Sequence, residues 1–141
     1  MTLLVDTSVW SLAFRRDAPP DTPEVKALRD ALGGNDIVVS TGLILQELLQ
    51  GFIPRRAQTQ IDERFAGIGL VYPTREDHVA AARLRNTCRR AGVQLGTVDA
   101  LIAQLCITHQ LLLLTTDSDF VHAARHSELR LWSHGGGNDD H

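Results

Sequence analysis

The stretch Thr2-Leu3-Leu4-Val5-Asp6-Thr7-Ser8 decides what fold to expect. Its apolar residues follow one another without alternation, which is typical of a strand buried on both faces of a parallel sheet. Asp6 stands where that strand ends, and in open α/β sheets ligands bind outside the carboxyl ends of the strands. Asp6 is therefore a candidate site residue. The alternative is that Asp6 or Thr7 caps a helix that begins near Ser8.

A second apolar run, Leu111-Leu-Leu-Leu114, also ends in acids. It is followed by Thr115-Thr116-Asp117-Ser118-Asp119. Either Asp117 or Asp119 alone would serve as the N-cap of a helix that continues to residue 125. This strand and the first one are both apolar and both end in an acid, and this repeated arrangement favours a site residue over a simple helix cap.

Strands and helices alternate along the whole chain. We predict helices over 8–14, 24–32, 42–50, 54–67, 74–92 and 98–109, short strands at 37–39 and 70–72, and an edge strand at 129–132. This alternation predicts an α/β fold with a parallel sheet, whose right-handed crossovers bring the carboxyl ends of the strands to one edge. Residues 1–133 are predicted to form one domain, and the Gly-rich segment 134–141 a disordered tail.

Glu47 is the only charged residue on an otherwise apolar helix. It shares one narrow polar face with Gln46 and Gln50, because positions three and four apart lie on the same side of a helix. One interpretation is a single solvated glutamate on the wet face of the helix. The other is that this polar stripe lines a cleft.

Asp99 lies in the first turn of a helix for which Thr97 is the candidate N-cap. At 100° per residue it falls on the side opposite Thr97, among the small apolar residues Ala103 and Cys106. A carboxylate on a buried face is costly unless it is hydrogen-bonded or bound to a metal. The alternative is that Asp99 only stabilises the helix N-terminus through its charge.

The composition is that of a soluble globular protein, with 43% hydrophobic and 22% charged residues. We expect a cytoplasmic location and no membrane partner, because the sequence has no apolar run long enough to span a bilayer and no signal-peptide pattern. Cys88 and Cys106 lack metal-type spacing and are expected in the core. The net charge of −3 argues weakly against a nucleic-acid partner. If a metal neutralises the five candidate site acids, 12 of the 17 acids remain against 14 basic residues, so the rest of the chain is slightly basic. All of these basic residues are arginine except Lys26.

The predicted topology brings five acids to one edge of the sheet: Asp6, Glu47, Asp99, Asp117 and Asp119. Four or five carboxylates in one pocket cannot all stay ionised without a cation. Oxygen ligands select a hard metal such as Mg²⁺ or Mn²⁺ over Zn²⁺. Because such a site completes its shell with water and phosphate, it predicts hydrolysis of a phosphodiester. Thr7, Ser8 and Thr116 are predicted to orient the carboxylates by hydrogen bonds.

Four motifs follow one another in a characteristic order and spacing. They are Val5-Asp6-Thr7-Ser8, Gln46-Glu47-Leu48-Leu49, the helix start Thr97-Val98-Asp99-Ala100-Leu101-Ile102-Ala103, and Leu114-Thr115-Thr116-Asp117-Ser118-Asp119-Phe120. Together they resemble a PIN domain of the VapC toxin type over essentially the whole chain up to the tail. The resemblance implies a three-layer α/β/α sandwich around a five-stranded parallel sheet. It matches the family's acidic quartet to Asp6, Glu47, Asp99 and Asp117, and its frequent fifth acid to Asp119.

The same resemblance implies an activity and partners. VapC-type proteins are Mg²⁺- or Mn²⁺-dependent endoribonucleases that often cut tRNA or rRNA. They are the toxins of type II toxin–antitoxin modules, commonly dimerise, and are held inactive by a VapB-type antitoxin in a hetero-oligomer. The predicted RNA contacts are Arg15, Arg16, Arg55 and Arg56. Five apolar residues are expected to line a groove for an antitoxin helix: Trp10, Phe14, Leu45, Leu49 and Phe52. The alternative is that they pack in the core.

Two other functions compete with the nuclease. One is a catalytically silent module that keeps the fold and binds a partner. The other is a phosphotransfer domain, either a receiver or a phosphatase, because both place acids at strand ends. A phosphatase of that kind needs Asp-x-Asp where this chain has Asp6-Thr7-Ser8, and a receiver needs a lysine after its last core strand, whereas Lys26 lies on an early helix.

Overall fold

Four parallel strands form the centre of the molecule in the computed structural model, which describes residues 1–15 and 21–133. They are β1 (Thr2–Val5), β2 (Ile37–Ser40), β3 (Gly69–Leu70) and β4 (Leu112–Leu114). Their order in the sheet is β3-β2-β1-β4, and each neighbouring pair is parallel. The prediction that the first strand is buried on both faces is confirmed, since Leu3, Leu4 and Val5 are at most 1% exposed.

Helices cover both faces of this sheet. In the described residues they are α1 (Thr7–Ala13), α2 (Pro23–Asp30), α3 (Gly42–Gly51), α4 (Arg55–Phe65), α5 (Arg75–Arg90), α6 (Thr97–Thr108) and α7 (Ser118–Ala124). A π-helical turn, Ala31–Asn35, joins α2 to β2. Helix α1 packs on α2 and α3, α3 on α4, and α5 on α6. The chain passes from β1 to β2 to β3 in one direction along the sheet and then returns to β4 on the other side of β1. Because these crossovers are right-handed, the helices before β3 and those after β3 lie on opposite faces of the sheet. The predicted three-layer α/β/α sandwich is confirmed.

Two strands are shorter than the sequence suggested. The strand predicted at 70–72 is the two-residue Gly69–Leu70. The edge strand predicted at 129–132 is one parallel bridge between Leu131 and Leu113. The next donor toward this segment, the Leu111 N–H directly before β4, instead donates to the Cys106 carbonyl (2.8 Å) at the end of α6, so the ladder does not extend further back. The described residues therefore form four strands and a bridge, rather than five strands. The tail predicted for 134–141 lies outside the described residues.

Helix ends follow local capping chemistry, with one correction. Helix α5 begins with a capping box: the Asp77 N–H donates to Thr74 Oγ1 (3.2 Å), and the Thr74 N–H donates to Asp77 Oδ2 (2.8 Å). Helix α6, however, is capped by Gly96 rather than Thr97, which occupies the first helical position. The Gly96 carbonyl accepts the Ala100 N–H (2.9 Å) as the first bond of the helix, and because glycine has no side chain, α6 begins without a side-chain cap.

The chain diverges at the boundary between β1 and β4. After β1 it turns toward β2, and after β4 it turns toward the bridge at Leu131. Crevices at such a switch point, outside the carboxyl ends of the strands, are where open α/β sheets bind ligands. Within the described residues no helix is long and apolar enough to cross a membrane. Cys88 and Cys106 are buried in the core, as predicted.

Candidate active site

Asp6 is fixed at the carboxyl end of β1 by both its main chain and its side chain. Its N–H donates to the Leu114 carbonyl (2.9 Å), which ties it to the end of β4. The residue is 5% exposed, and its Oδ2 accepts hydrogen bonds from Ser8 Oγ (2.7 Å) and Thr115 Oγ1 (2.9 Å). Asp6 occupies the N-cap position of α1 without making a side-chain cap bond. The capping alternative therefore does not account for its side chain.

Thr115 is the residue that the sequence reasoning missed. The hydroxyl that reaches Asp6 from the β4 loop belongs to Thr115, whereas Thr116 contributes its main-chain N–H, which donates to Ser8 Oγ (3.1 Å). The choice of Thr116 as the orienting hydroxyl is wrong for a simple reason of register. Val5 pairs with Leu114, so the next residues of the two strands, Asp6 and Thr115, lie side by side. The sequence signal for Thr115 was that it directly follows its apolar run, as Asp6 directly follows the first one.

The loop after β4 orders Asp117 as well. The Asp117 N–H donates to Thr115 Oγ1 (3.0 Å), and Asp117 Oδ1 accepts the Asp119 N–H (2.9 Å) as the N-cap of α7. The capping interpretation of Asp117 is thus correct for one of its oxygens. Asp119 is exposed in the first turn of α7.

Glu47 faces the site rather than open solvent. Its half-buried carboxylate accepts a hydrogen bond from Thr7 Oγ1 (2.6 Å), which joins α3 to the start of α1. Gln46 and Gln50 are at the surface and bond to each other (2.8 Å). The polar stripe is therefore divided: the two glutamines lie outward, and only Glu47 turns inward. Helix α3 is held in place by Thr41, which accepts the Ile44 N–H (3.1 Å).

The charges of the four other candidate acids all act on Asp99. Burial, followed by the negative charges of Asp6, Asp117, Glu47 and Asp119, raises the pKa of Asp99 from 3.8 to about 6. It lies in the first turn of α6, a helix that also carries the buried Ala103 and Cys106. These charges act on one carboxyl group, so the structure does bring the five predicted acids into one electrostatic neighbourhood. We call these five residues the acid cluster.

The described residues supply no cation to balance the acid cluster. Their ion pairs are Met1–Asp36 (3.4 Å) and Lys26–Asp30 (3.1 Å), neither of which involves the cluster. Within residues 1–15 and 21–133, no three histidine, cysteine or acidic side chains are close enough to hold a metal ion by themselves. Mg²⁺ keeps several waters and takes only one or two carboxylates from the protein. An all-oxygen set of spaced carboxylates fits a hard, hydrated cation of that kind.

The other predicted contacts lie elsewhere. Arg15, Arg55 and Arg56 are exposed and make no ion pair with the acid cluster, and Arg16 lies outside the described residues. Their role in RNA binding stays a prediction.

The predicted groove is divided between core and surface. Trp10 is 1% exposed and packs against Phe14 and Phe65 at ring separations of 5.7 and 4.8 Å, so it belongs to the core. Leu45 and Leu49 line an open cavity of about 530 Å³ beside α3. Ile53, which is 81% exposed, extends the apolar wall of that cavity.

Comparison with known proteins agrees with this geometry. The family model described as "PIN domain" matches residues 3–126. A VapC ribonuclease of Mycobacterium bovis is 29% identical over 130 residues, covering 91% of this chain and 96% of the relative. Ribonuclease VapC11 of Mycobacterium tuberculosis matches to the same extent.

Solved structures show the same fold. The structure of VapBC2 from Rickettsia felis bound to a promoter DNA fragment has a TM-score of 0.75 at 20% identity, covering 94% of this chain and 100% of that one. VapC20 of Mycobacterium tuberculosis, a Sarcin-Ricin loop cleaving toxin, has a TM-score of 0.66 at 19% identity, covering 91% and 98%. With a family model that spans all five acids of the cluster, this chain belongs to the PIN domain family.

Proposed function

We propose that this chain is a Mg²⁺-dependent endoribonuclease, with Mn²⁺ able to substitute, and the toxin of a type II toxin–antitoxin module. The observation that carries the proposal is the acid cluster: five acids from distant parts of the sequence share one edge of the sheet, and no cation of the described residues balances them. The names of the relatives, VapC ribonucleases, support RNA as the substrate. A phosphotransfer domain is not supported by the family match.

The acid cluster would hold the metal. The proposed catalytic and metal-binding residues are Asp6, Glu47, Asp99 and Asp117, with Asp119 at the exposed rim; one or two of them would coordinate the ion directly and the others would bind its water molecules. A bound Mg²⁺ supplies a water of lowered pKa and stabilises negative charge that develops on the phosphate. The chain's own part is to aim these oxygens, because a carboxylate that rotates freely loses affinity for the ion.

Hydroxyl groups orient these carboxylates. Ser8 and Thr115 both donate to the same oxygen of Asp6, which leaves Oδ1 as the oxygen that no described residue binds. Thr7 holds Glu47 in the same manner. Since Thr7 and Ser8 directly follow Asp6 in the chain, one short segment positions carboxylates from β1 and α3 together. This segment is therefore expected to control both metal affinity and turnover.

The proposal includes partners. The substrate is proposed to be tRNA or rRNA, and the protein is proposed to form a homodimer and a hetero-oligomer with a VapB-type antitoxin in the cytoplasm. Solved neighbours are VapBC and FitAB assemblies, which supports an antitoxin partner. An amphipathic antitoxin helix would lay apolar residues into the cavity lined by Leu45 and Leu49, because helix-in-groove recognition uses such walls.

The deciding experiment measures cleavage of total RNA by the purified protein in Mg²⁺, Mn²⁺ or EDTA. We expect cleavage in either metal, none in EDTA, and loss of roughly a hundredfold or more in Asp6→Asn, because the ligand charge is removed while the fold stays intact. Asp62→Asn is the matched control, since Asp62 is an exposed acid on α4 outside the cluster. Absence of cutting in any metal, together with absence of Mg²⁺ binding by calorimetry, would favour the silent interaction module.

A further inference from the structure

Arg85 differs from the other arginines of α5 in how it is used. Arg75, Arg83, Arg89 and Arg90 are exposed, whereas Arg85 is half-buried. Its Nε donates a hydrogen bond to the main-chain carbonyl of Leu95 (2.8 Å), ten residues along the chain. It takes part in neither of the ion pairs of the described residues. The guanidinium therefore acts here as a directional donor to the main chain.

The carbonyl that Arg85 binds lies in the loop between α5 and α6. The start of this loop is held by its own main chain, through the Gly92 N–H to the Arg89 carbonyl (2.9 Å) and the Val93 N–H to the Cys88 carbonyl (2.8 Å). For the next two residues, Gln94 and Leu95, the bond from Arg85 is the one hydrogen bond to the main chain within the described residues. The second half of the loop is therefore fixed by Arg85 and by burial of the Leu95 side chain, which is 3% exposed.

Helix α6 depends on that half of the loop for its position. Its N-cap is Gly96, directly after Leu95, and Gly96 offers no side-chain cap. A helix start without a cap leaves its first N–H groups free and its first turn prone to fraying. Asp99 lies in this turn, four residues beyond the carbonyl that Arg85 holds.

We propose that Arg85 is a positioning residue: by binding the Leu95 carbonyl it fixes the first turn of α6 and so sets Asp99 in place within the acid cluster. This inference rests on the proposed metal site. Residues that orient a metal ligand typically change metal affinity by roughly 10–100-fold when they are replaced. Arg85 reaches its ligand through the main chain, so we expect an effect at the lower end of that range.

The competing role for Arg85 is direct contact with RNA. Its side chain also lines a cavity of about 410 Å³ between α5 and α6, together with Asn86 and Thr97. A phosphate contact in that cavity would weaken RNA binding without changing metal affinity. The two roles therefore differ in what they change: positioning alters metal affinity and kcat, whereas RNA contact alters KM.

The test compares Arg85→Met, Arg85→Lys and the control Arg83→Met with the unmodified chain. Methionine keeps much of the apolar stem and removes the donor, while lysine keeps the charge without the planar Nε–H. The first measurement is amide hydrogen exchange without metal. We expect exchange at Ala100 and Leu101, the first residues of α6 whose N–H groups are bonded within the helix, to be about tenfold faster in Arg85→Met, and exchange at Leu105, in the buried middle of α6, to be unchanged. General destabilisation would accelerate all three.

The second measurement is Mn²⁺ affinity by calorimetry, with kcat and KM for a fluorescent RNA. We expect Arg85→Met to bind Mn²⁺ about tenfold more weakly and to lose about tenfold in kcat at constant KM, with Arg85→Lys intermediate and Arg83→Met unchanged. Unchanged exchange and Mn²⁺ affinity in Arg85→Met would overturn the proposal, as would a higher KM at constant kcat.

The outcomes separate this inference from the proposed function. If Arg85→Met does not fold, Arg85→Lys carries the same comparison, because its charge and stem are kept. If the unmodified chain neither binds Mn²⁺ nor cuts RNA, the proposed function fails, and the exchange data still decide whether Arg85 holds the first turn of α6.

Discussion

Replacing Asp99 by asparagine is expected to stabilise the metal-free protein at neutral pH while abolishing cleavage. The pKa of Asp99 is raised from 3.8 to about 6 by burial and by the neighbouring acids, so the native state holds this proton more tightly than the unfolded state. Stability is therefore lost as the pH rises from about 4 through about 6, and this loss is complete above roughly pH 7. The side chain of the Asp99→Asn variant carries no charge and avoids the loss.

The size of the gain follows from the same difference. The pKa of Asp99 rises from 3.8 to about 6 in the folded protein, and each pKa unit corresponds to about 1.36 kcal/mol. Ionising Asp99 in the folded protein therefore costs about 3 kcal/mol more than in the unfolded chain. Because the side chain is only half-buried, solvent screening lowers this to roughly 1–2 kcal/mol. Removing a negative charge from the first turn of α6 costs about 0.5 kcal/mol. The net gain is about 1 kcal/mol, which corresponds to a rise in Tm of roughly 3–4 °C for a chain of this size.

The assay is thermal and urea unfolding in EDTA at several values between about pH 4 and pH 8, with Asp62→Asn as the control. We expect Asp99→Asn to match the unmodified chain near pH 4 and to exceed it above pH 7, while the control stays within about 0.5 kcal/mol throughout. Mg²⁺ at about ten times its Kd should then stabilise the unmodified chain by about 1.4 kcal/mol and the variant by less. A variant that is less stable at pH 8 in EDTA would refute the reasoning, and would make Asp99 a stabiliser of the helix N-terminus instead.

Two further predictions test the hydroxyls and the thiols. Thr115→Val removes a hydrogen-bond donor to Asp6, so we expect it to lower the free energy of unfolding by about 1–2 kcal/mol and the rate of RNA cleavage by roughly 10–100-fold. The control is Thr116→Val, an exposed neighbouring position, which is expected to change neither quantity by much. Equal effects in the two variants would contradict this prediction. Burial raises the pKa of Cys106 to about 12, and the Cys88 side chain is likewise buried, so neither thiol should react with iodoacetamide at about pH 8 until the protein unfolds. Mass spectrometry of the native protein checks this, and one alkylated thiol per folded chain would be inconsistent with it.

The parts of this structure that depend on local sequence were predictable. The buried run before Asp6 and the leucine run before Asp117 identify β1 and β4, because only strands covered on both faces are uniformly apolar. The capping box of α5 also depends on local sequence alone, because it joins Thr74 to Asp77, three positions along the chain. Once both strands are known to be parallel, their ends must lie together. Most of the acid cluster follows from that one topological step.

The remaining features depend on contacts that no local pattern encodes. The bond from Thr7 to Glu47 joins residues forty positions apart and depends on how α3 packs on α1. The last edge strand is reduced to a bridge because the Leu111 N–H, which would extend its ladder, bonds the Cys106 carbonyl at the end of α6 instead, and the hydrophobic pattern does not encode that competition. Gly96 replaces Thr97 as the cap of α6 because the loop fixes where the helix begins.

The choice of hydroxyl donors in the acid cluster has a physical consequence. A lysine or arginine beside Asp6 would orient its carboxylate as firmly as Ser8 and Thr115 do, but its charge would neutralise the acid and compete with a divalent cation. A hydroxyl donates a hydrogen bond and leaves the negative charge in place. The same is true of Thr7 at Glu47. The site is thus ordered without being neutralised, and the repulsion that remains is what a bound cation would relieve. Introducing a cation by Thr115→Lys is therefore expected to lower the affinity of the protein for Mn²⁺ in calorimetry, because the ammonium group would compete with the metal for Asp6.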